Sequence, residues 1–135
     1  MPEALVLDAS ALVEALIGTT IGTNVRARMR GCELHAPAHL DAEVLSALGR
    51  LHRAGDLNDA LVSNALGELA AAPIRRHDLA RLLAGAWAAR DRLRLVDALY
   101  VELSNTLAAR LLTTDARLAR AHDAAELITA ATPTD

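Results

Sequence analysis

Short apolar runs alternate along this chain with longer segments of helical periodicity, and this alternation strongly limits the fold. Residues 4–7 are apolar and end at Asp8, and residues 111–114 form a second run that ends at Asp115. Apolar residues spaced by three or four positions lie between such runs. Strands alternating with helices favour right-handed β-α-β units and a parallel sheet covered on both faces. We therefore predict an α/β fold with three αβα layers around a central parallel sheet of four to five strands.

The predicted elements follow from this periodicity and from its glycine and proline breaks. Residues 4–7 and 111–114 are predicted strands, and weaker strands are predicted at residues 33–36, near Ile74 and at residues 127–128. Turn chemistry is predicted for residues 19–23, followed by a short helix over residues 24–30 that ends at Gly31. Further helices are predicted after residue 8, between Pro37 and Gly55, and over residues 57–72, 79–90, 96–108 and 116–121.

Length and composition predict one globular domain over residues 1–135. Hydrophobic residues make up 53% of the chain and charged residues 23%, which is a balance typical of globular domains. No apolar run approaches the roughly 20 residues that span a bilayer. The N-terminus carries Glu3 rather than the positive charge of a secretory signal. A single cysteine, Cys32, forms no internal disulfide and suits a reducing compartment. We expect a soluble, cytoplasmic protein that does not bind a membrane.

Several catalytic classes are disfavoured by residues that the chain lacks. The net charge is −3, and all 14 cationic residues are arginines. The absence of lysine disfavours Walker A loops and other lysine-dependent phosphate sites. No serine lies in a G-x-S-x-G elbow, which leaves covalent catalysis without support. The five histidines show no tight metal-ligand spacing, and we assign none of them to catalysis.

Two aspartates follow the strongest predicted strands. In open α/β sheets, ligands bind beyond the carboxyl ends of the strands, so Asp8 and Asp115 can share one cleft. Each aspartate also precedes a predicted helix, where a carboxylate accepts backbone N–H bonds as an N-cap. Sequence spacing alone leaves both interpretations open for either residue.

Two further acids lie on or beside the apolar stripes of predicted helices. Glu43 is four residues before Ala47, and Asp97 lies one turn before Tyr100. A carboxylate in such a position needs a cation, because burial of an unpaired charge costs several kcal/mol. A buried arginine is one candidate for that cation. If the four carboxylates converge, a divalent cation supplies the charge, and all-oxygen ligands favour Mg²⁺ or Mn²⁺ over zinc.

Four segments carry a resemblance to a known family. They are residues 6–13 (VLDASALV), residues 36–37 (AP) followed by residues 43–44 (EV), residues 96–101 (VDALYV), and residues 111–118 (LLTTDARL). In this order and spacing the chain resembles the PIN-domain ribonucleases, and more closely the VapC-type toxins of bacterial type II toxin–antitoxin systems. The resemblance implies a PIN-like fold over most of the chain. It also implies that Glu43, rather than Asp41, belongs to the site, and we interpret Asp41 as first-turn charge.

The resemblance also implies a set of site residues and a reaction. The acidic quartet falls on Asp8, Glu43, Asp97 and Asp115, which would hold Mg²⁺ or Mn²⁺ while water attacks an RNA phosphodiester. Three hydroxyl residues are expected to orient these acids: Ser10, Thr113 and Thr114. Three arginines are candidates for binding the flanking phosphates, with a solvated loop as the alternative: Arg90, Arg92 and Arg94.

The expected partners are an RNA substrate, a cognate VapB-type antitoxin that covers the cleft, and a second copy of the chain in a homodimer. Two other functions stay open at this point. One is a catalytically silent PIN-like module that binds RNA or protein, and the other is a DNA nuclease or another metal-dependent phosphohydrolase. The presence of all four acids favours the endoribonuclease.

Overall fold

The structure, a computed structural model, describes residues 1–132 and contains a five-stranded parallel sheet. The strand order is β3-β2-β1-β4-β5, with every neighbouring pair parallel. The strands are β1 (Ala4–Leu7), β2 (Glu33–Pro37), β3 (Ile74–His77), β4 (Arg110–Thr113) and β5 (Ala125–Leu127). The predicted parallel α/β sheet is confirmed, and the predicted single domain reaches into residues 133–135, which lie outside the described part.

Helices cover both faces of this sheet. They are α1 (Ala9–Ile17), α2 (Thr20–Met29), α3 (Leu40–Arg53), α4 (Asp59–Ala71), α5 (Leu83–Ala88), α6 (Leu95–Leu107) and α7 (Ala116–Ala121). Helix α1 packs against α2, α3 and α4, whereas α6 packs against α5 and against strands β1, β2 and β4. The central strands carry the core, since Leu5, Val6 and Leu7 are fully buried. Among residues 1–132, no helix is long and apolar enough to cross a membrane.

The turn predicted at residues 19–23 is wrong, because helix α2 already begins at Thr20. Thr19 is the N-cap residue, and its hydroxyl oxygen accepts a hydrogen bond from the Gly22 N–H at 3.0 Å. The cap and the packing of α2 on α1 outweigh the poor helix propensity of threonine and glycine. The stop predicted at Gly31 is confirmed by its positive φ of 77°.

Two further elements and the burial of one residue differ from the prediction. The helix predicted over residues 79–90 is a 3-10 turn, Ala80–Leu82, followed by the short α5. Strand β5 begins earlier than predicted, at Ala125. Val96 was placed on the buried stripe of α6 but is 44% exposed, because it faces an open apolar depression that it lines together with Leu83 and Trp87.

The sheet topology brings the two strand-end aspartates together. Leu7 in β1 pairs with Leu112 in β4, and the Asp8 N–H donates to the Leu112 carbonyl at 3.1 Å. Asp8 and Asp115 therefore lie at the same carboxyl edge of neighbouring strands. This is the edge at which α/β proteins place their ligands.

Candidate active site

A cleft of about 330 Å³ opens at this carboxyl edge, and all four predicted acids line it. Asp8 connects β1 to α1, and Asp115 is the N-cap of α7. Glu43 lies in the first turn of α3, and Asp97 lies in the first turn of α6. Four separate elements thus deliver one carboxylate each to the same cavity.

Asp8 is the most buried of these acids, at 5% exposed. Its Oδ1 accepts hydrogen bonds from the Ser10 hydroxyl at 2.5 Å and from the Ala11 N–H at 3.1 Å. Its Oδ2 accepts from the Thr113 hydroxyl at 2.6 Å. Burial raises the pKa of Asp8, and these hydrogen bonds lower it in part. Asp8 is therefore both an N-cap and a cleft carboxylate, so the two interpretations left open by the sequence hold together.

A small hydroxyl network fixes the Asp8 carboxylate. Thr113 is fully buried, and its hydroxyl oxygen also accepts from the Asp115 N–H at 3.0 Å. Ser10 Oγ accepts from the Thr114 N–H at 3.1 Å. Ser10 and Thr113 thus contact Asp8 through their hydroxyls, whereas the contact of Thr114 with this network is made by its backbone.

Replacing Thr113 by valine is expected to lower the free energy of unfolding by about 1–3 kcal/mol. Valine keeps the shape of the side chain but leaves Asp8 Oδ2 without a donor and the Asp115 N–H without an acceptor. Urea unfolding followed by circular dichroism measures the loss. Thr106→Val is the matched control, because Thr106 is exposed and bonds only to a carbonyl in its own helix. Equal losses in the two variants would contradict the role of Thr113.

Glu43 is held by Tyr100 rather than by an arginine. The Tyr100 hydroxyl donates to Glu43 Oε1 at 2.6 Å, although the tyrosine as a whole is only 1% exposed. Burial and the nearby carboxylate raise the pKa of Tyr100, so its hydroxyl remains a donor at neutral pH. The His39 ring contacts the Tyr100 ring at a tilt of 49°, and His39 Nε2 lies 3.4 Å from the same Glu43 oxygen. The sequence placed Tyr100 in the core, but only its ring is a core group.

Asp97 is paired with an arginine, although this arginine is exposed and not the buried partner that the sequence left open as an alternative. Arg94 Nε lies 2.9 Å from Asp97 Oδ2, with the arginine 68% exposed and the aspartate 18% exposed. The Asp97 carboxylate raises the pKa of Arg94, and the charges of Asp115 and Glu43 contribute in the same direction. The guanidinium of Arg94 therefore lies in the field of three of the four acids.

Asp115 caps the helix that follows it. Its Oδ1 accepts from the Arg117 N–H at 2.9 Å and from the Leu118 N–H at 3.4 Å. Because these contacts engage Oδ1, the other carboxylate oxygen has no partner in the hydrogen bonds described for residues 1–132. Asp115, like Asp8, is therefore both the N-cap of a helix and a carboxylate of the cleft.

The donor chemistry of the cleft fits a hard divalent cation, since four carboxylates supply only oxygen. As the side chains stand, however, no three His, Cys, Asp or Glu residues within 1–132 are close enough to hold a metal ion. Asp97 is engaged by Arg94 and Glu43 by Tyr100. A metal complex would require the carboxylates to move closer together, and the hydrogen bonds from Arg94 and Tyr100 each engage only one oxygen of Asp97 and of Glu43.

Two charged residues of the cleft were not predicted from the sequence. Glu14 lines the cleft from α1, where its carboxylate accepts from the Thr19 hydroxyl. Arg50 lines it from α3, one turn beyond Ala47 and two turns beyond Glu43. Ala47 and Arg50 follow Glu43 by four and seven residues, a spacing that places all three on the same helix face, and that signal was available in the sequence.

The three predicted phosphate-binding arginines have different positions. Arg94 lines the cleft, and Arg92 lines a smaller hollow beside it. Arg90 lines neither cavity, and its guanidinium lies 4.7 Å above the ring of Trp87. The structure therefore brings two of the three arginines near the acids.

Comparisons with known proteins agree with this fold. The PIN domain family matches residues 5–124. Ribonuclease VapC3 of Mycobacterium tuberculosis is 58% identical over 128 residues, covering 94% of this chain and 93% of the relative. Ribonuclease VapC12 of the same species is 36% identical over 118 residues, covering 87% and 92%.

The fold is also shared with a solved structure. The crystal structure of PAE2754 from Pyrobaculum aerophilum superposes with a TM-score of 0.70 at 24% sequence identity, covering 92% of this chain and 82% of that one. This likeness concerns the fold alone. The extent of the family match and the identity to the two ribonucleases show that the chain belongs to the PIN domain family, and within it to the VapC-type ribonucleases.

Proposed function

We propose that this protein is the toxin of a type II toxin–antitoxin system and cleaves RNA phosphodiester bonds endonucleolytically in the acidic cleft. The observation that carries the proposal is the presence of Asp8, Glu43, Asp97 and Asp115 in one cleft at the carboxyl edge of the sheet. Membership of the VapC-type ribonucleases supports RNA as the substrate.

We further propose that the same four acids hold Mg²⁺ or Mn²⁺. The all-oxygen donor set supports a hard cation, and the mutual repulsion of four carboxylates supports a cationic ligand among them. When bound, such an ion supplies the positive charge that activates water and offsets the charge of the phosphodiester. Asp8 and Asp97 are the proposed direct ligands, and Glu43 and Asp115 complete the set.

The protein's own side chains prepare these acids. Ser10 and Thr113 fix both oxygens of Asp8, so its orientation requires no ordering during the reaction. Tyr100 holds Glu43 from the side of the core. Arg94 balances the charge of Asp97 in the absence of a cation. Once Asp97 is engaged elsewhere, the Arg94 guanidinium is free to donate to a phosphate oxygen of the RNA.

Protein partners are the remaining part of the proposal. Leu83, Trp87, Leu95 and Val96 are each exposed by 44% or more and line one apolar depression. Exposed apolar patches of this kind are typical of protein–protein interfaces. The patch supports a protein partner, and we propose a VapB-type antitoxin and a second copy of the chain as the two partners.

Asp97→Asn is expected to lower RNA cleavage by about 100-fold or more while the protein stays folded. The experiment incubates the purified chain with Mn²⁺ and total RNA, with matched DNA as a second substrate. Asp56→Asn is the control, because Asp56 is exposed and lies outside the cleft. Circular dichroism checks that both variants are folded.

Each outcome of this experiment decides one part of the proposal. Undiminished cleavage by Asp97→Asn would exclude the proposed metal site. Cleavage of DNA but not of RNA would replace the ribonuclease by a DNA nuclease. If the parent chain cuts neither polymer, a catalytically silent binding module is the better description.

A further inference from the structure

A second hollow of about 120 Å³ adjoins the acidic cleft and shares three lining residues with it, Arg94, Asp97 and Asp115. Its other charged lining residues are Arg92 and Arg117. The charged lining therefore changes from five acids and two arginines in the cleft to three arginines and two acids in this hollow. We call it the arginine hollow.

Two of the three arginines that line the hollow, Arg92 and Arg117, form no ion pair with an acidic residue of the described chain. Arg94 is paired with Asp97, but no ion pair within residues 1–132 includes Arg92 or Arg117. Both residues are exposed. Unpaired guanidinium groups that face a shared hollow favour an anionic ligand, and their planar donors match the oxygens of a phosphate.

The backbone that carries these arginines is well anchored. Next to Arg92, the buried Leu93 fixes the loop, and the N–H groups of both residues donate to the Ala89 carbonyl at 3.0 Å. Arg117 lies in the first turn of α7, where its N–H donates to Asp115 and the neighbouring Leu118 is buried. Two fixed elements thus present the arginines from two sides of the hollow.

We propose that the arginine hollow binds the RNA backbone phosphate next to the one that is cut in the acidic cleft. The inference rests on the proposed function, because it takes RNA as the ligand of the adjoining cleft. A phosphate among the carboxylates needs a cation to offset them, whereas the next phosphate along the strand meets Arg92 and Arg117 directly. Contacts to phosphates carry no base information, so this subsite positions RNA of any sequence.

The test measures RNA binding separately from cleavage. A fluorescein-labelled single-stranded RNA is titrated, with Mn²⁺ present and over a series of salt concentrations, against Asp8→Asn protein, which is expected not to cut it. The same protein carrying Arg92→Ala and Arg117→Ala is expected to bind at least about 10-fold more weakly. Its slope of log K against log salt should fall by about 0.7, which corresponds to one lost phosphate contact.

Two further variants distinguish the subsite from a general charge effect. Arg30→Ala with Arg53→Ala removes the same charge from exposed positions outside both cavities, and its binding should change little. Replacing Arg92 and Arg117 by lysine keeps the charge but removes the planar donors, and should restore only part of the binding. If the Arg92/Arg117 alanine variant binds RNA as tightly as the Arg30/Arg53 variant, the subsite is excluded. Because cleavage is not the readout, weakened binding supports the subsite even if the parent chain cuts no RNA.

Discussion

The Asp8→Asn protein is expected to lose RNA cleavage by about 1000-fold or more and, at the same time, to be more stable than the parent chain. The loss follows from Asp8 being a proposed direct ligand of the metal, since an amide is a much weaker ligand for Mg²⁺ than a carboxylate. The gain in stability follows from the burial of a charge. Asp8 is only 5% exposed, and no cationic side chain among residues 1–132 forms an ion pair with it. In metal-free protein its charge is therefore unfavourable.

The sign of the stability change follows from the pKa of Asp8. Desolvation raises this pKa in the folded protein above 3.8, the usual value for aspartate. A raised pKa contributes stability that is fully present below the unfolded value and is lost as pH rises through the folded value. At neutral pH the parent has lost that contribution, whereas asparagine carries no charge. The asparagine oxygen can still accept from the Ala11 N–H as the N-cap of α1. Its amide nitrogen, which replaces Oδ2, can donate to the Thr113 hydroxyl oxygen, and the Thr113 hydroxyl can then donate to Ser10 Oγ, 3.4 Å away.

We expect Asp8→Asn to raise the free energy of unfolding by about 1 kcal/mol at neutral pH and the melting temperature by about 4 °C. The gain should shrink as pH is lowered through the raised pKa of Asp8 in the folded parent, and it should be absent below 3.8, the ordinary value for aspartate. Calorimetry in the presence of a chelator measures both values. Asp56→Asn, on the exposed surface, should show neither the gain nor its pH dependence. A variant that is less stable than the parent at all pH values would contradict the unfavourable burial of Asp8.

The acidic cleft was predictable because strand ends and helix faces are encoded locally. Asp8 and Asp115 follow apolar runs, and a parallel sheet places the carboxyl ends of its strands at one edge. Glu43 and Asp97 interrupt apolar helix stripes, and the 3.6-residue period of the helix makes these interruptions visible in the sequence.

The partners of these acids were harder to predict. Tyr100 was assigned to the core because a sequence pattern locates a side chain on a helix face but not the end of that side chain.

The three arginines predicted to bind phosphates also show that a sequence pattern does not locate the end of a side chain. Arg90, Arg92 and Arg94 alternate along one segment and look equivalent in the sequence. In the structure Arg90 stacks on Trp87, Arg92 lines the arginine hollow, and Arg94 pairs with Asp97. Arg117, which lies on another element, joins this group only through the tertiary fold. Which charges converge depends on loop geometry, and no local period encodes that geometry.

Helix α2 is a second case in which tertiary contact overrides local preference. Its first residues, with threonine and glycine prominent, favour a turn, yet they are helical. Gly22 explains why this helix can lie so close to α1. A Cβ atom at Gly22 would lie 1.9 Å from the backbone oxygen of Glu14 and 2.9 Å from the backbone nitrogen of Ala15. The glycine that disfavours the helix locally is thus required by the packing of the two helices.

Gly22→Ala is therefore expected to lower the free energy of unfolding by about 3 kcal/mol and the melting temperature by about 10 °C. The added methyl group meets backbone rather than a side chain that can rotate, so relief requires α1 and α2 to separate. Gly67→Ala is the matched control in the middle of α4, where a Cβ atom meets nothing within 4 Å. That variant should gain about 0.5–1 kcal/mol, because alanine is the better helix former. Thermal unfolding of the two variants measures the difference, and a Gly22→Ala protein as stable as Gly67→Ala would show that the helices do not approach so closely.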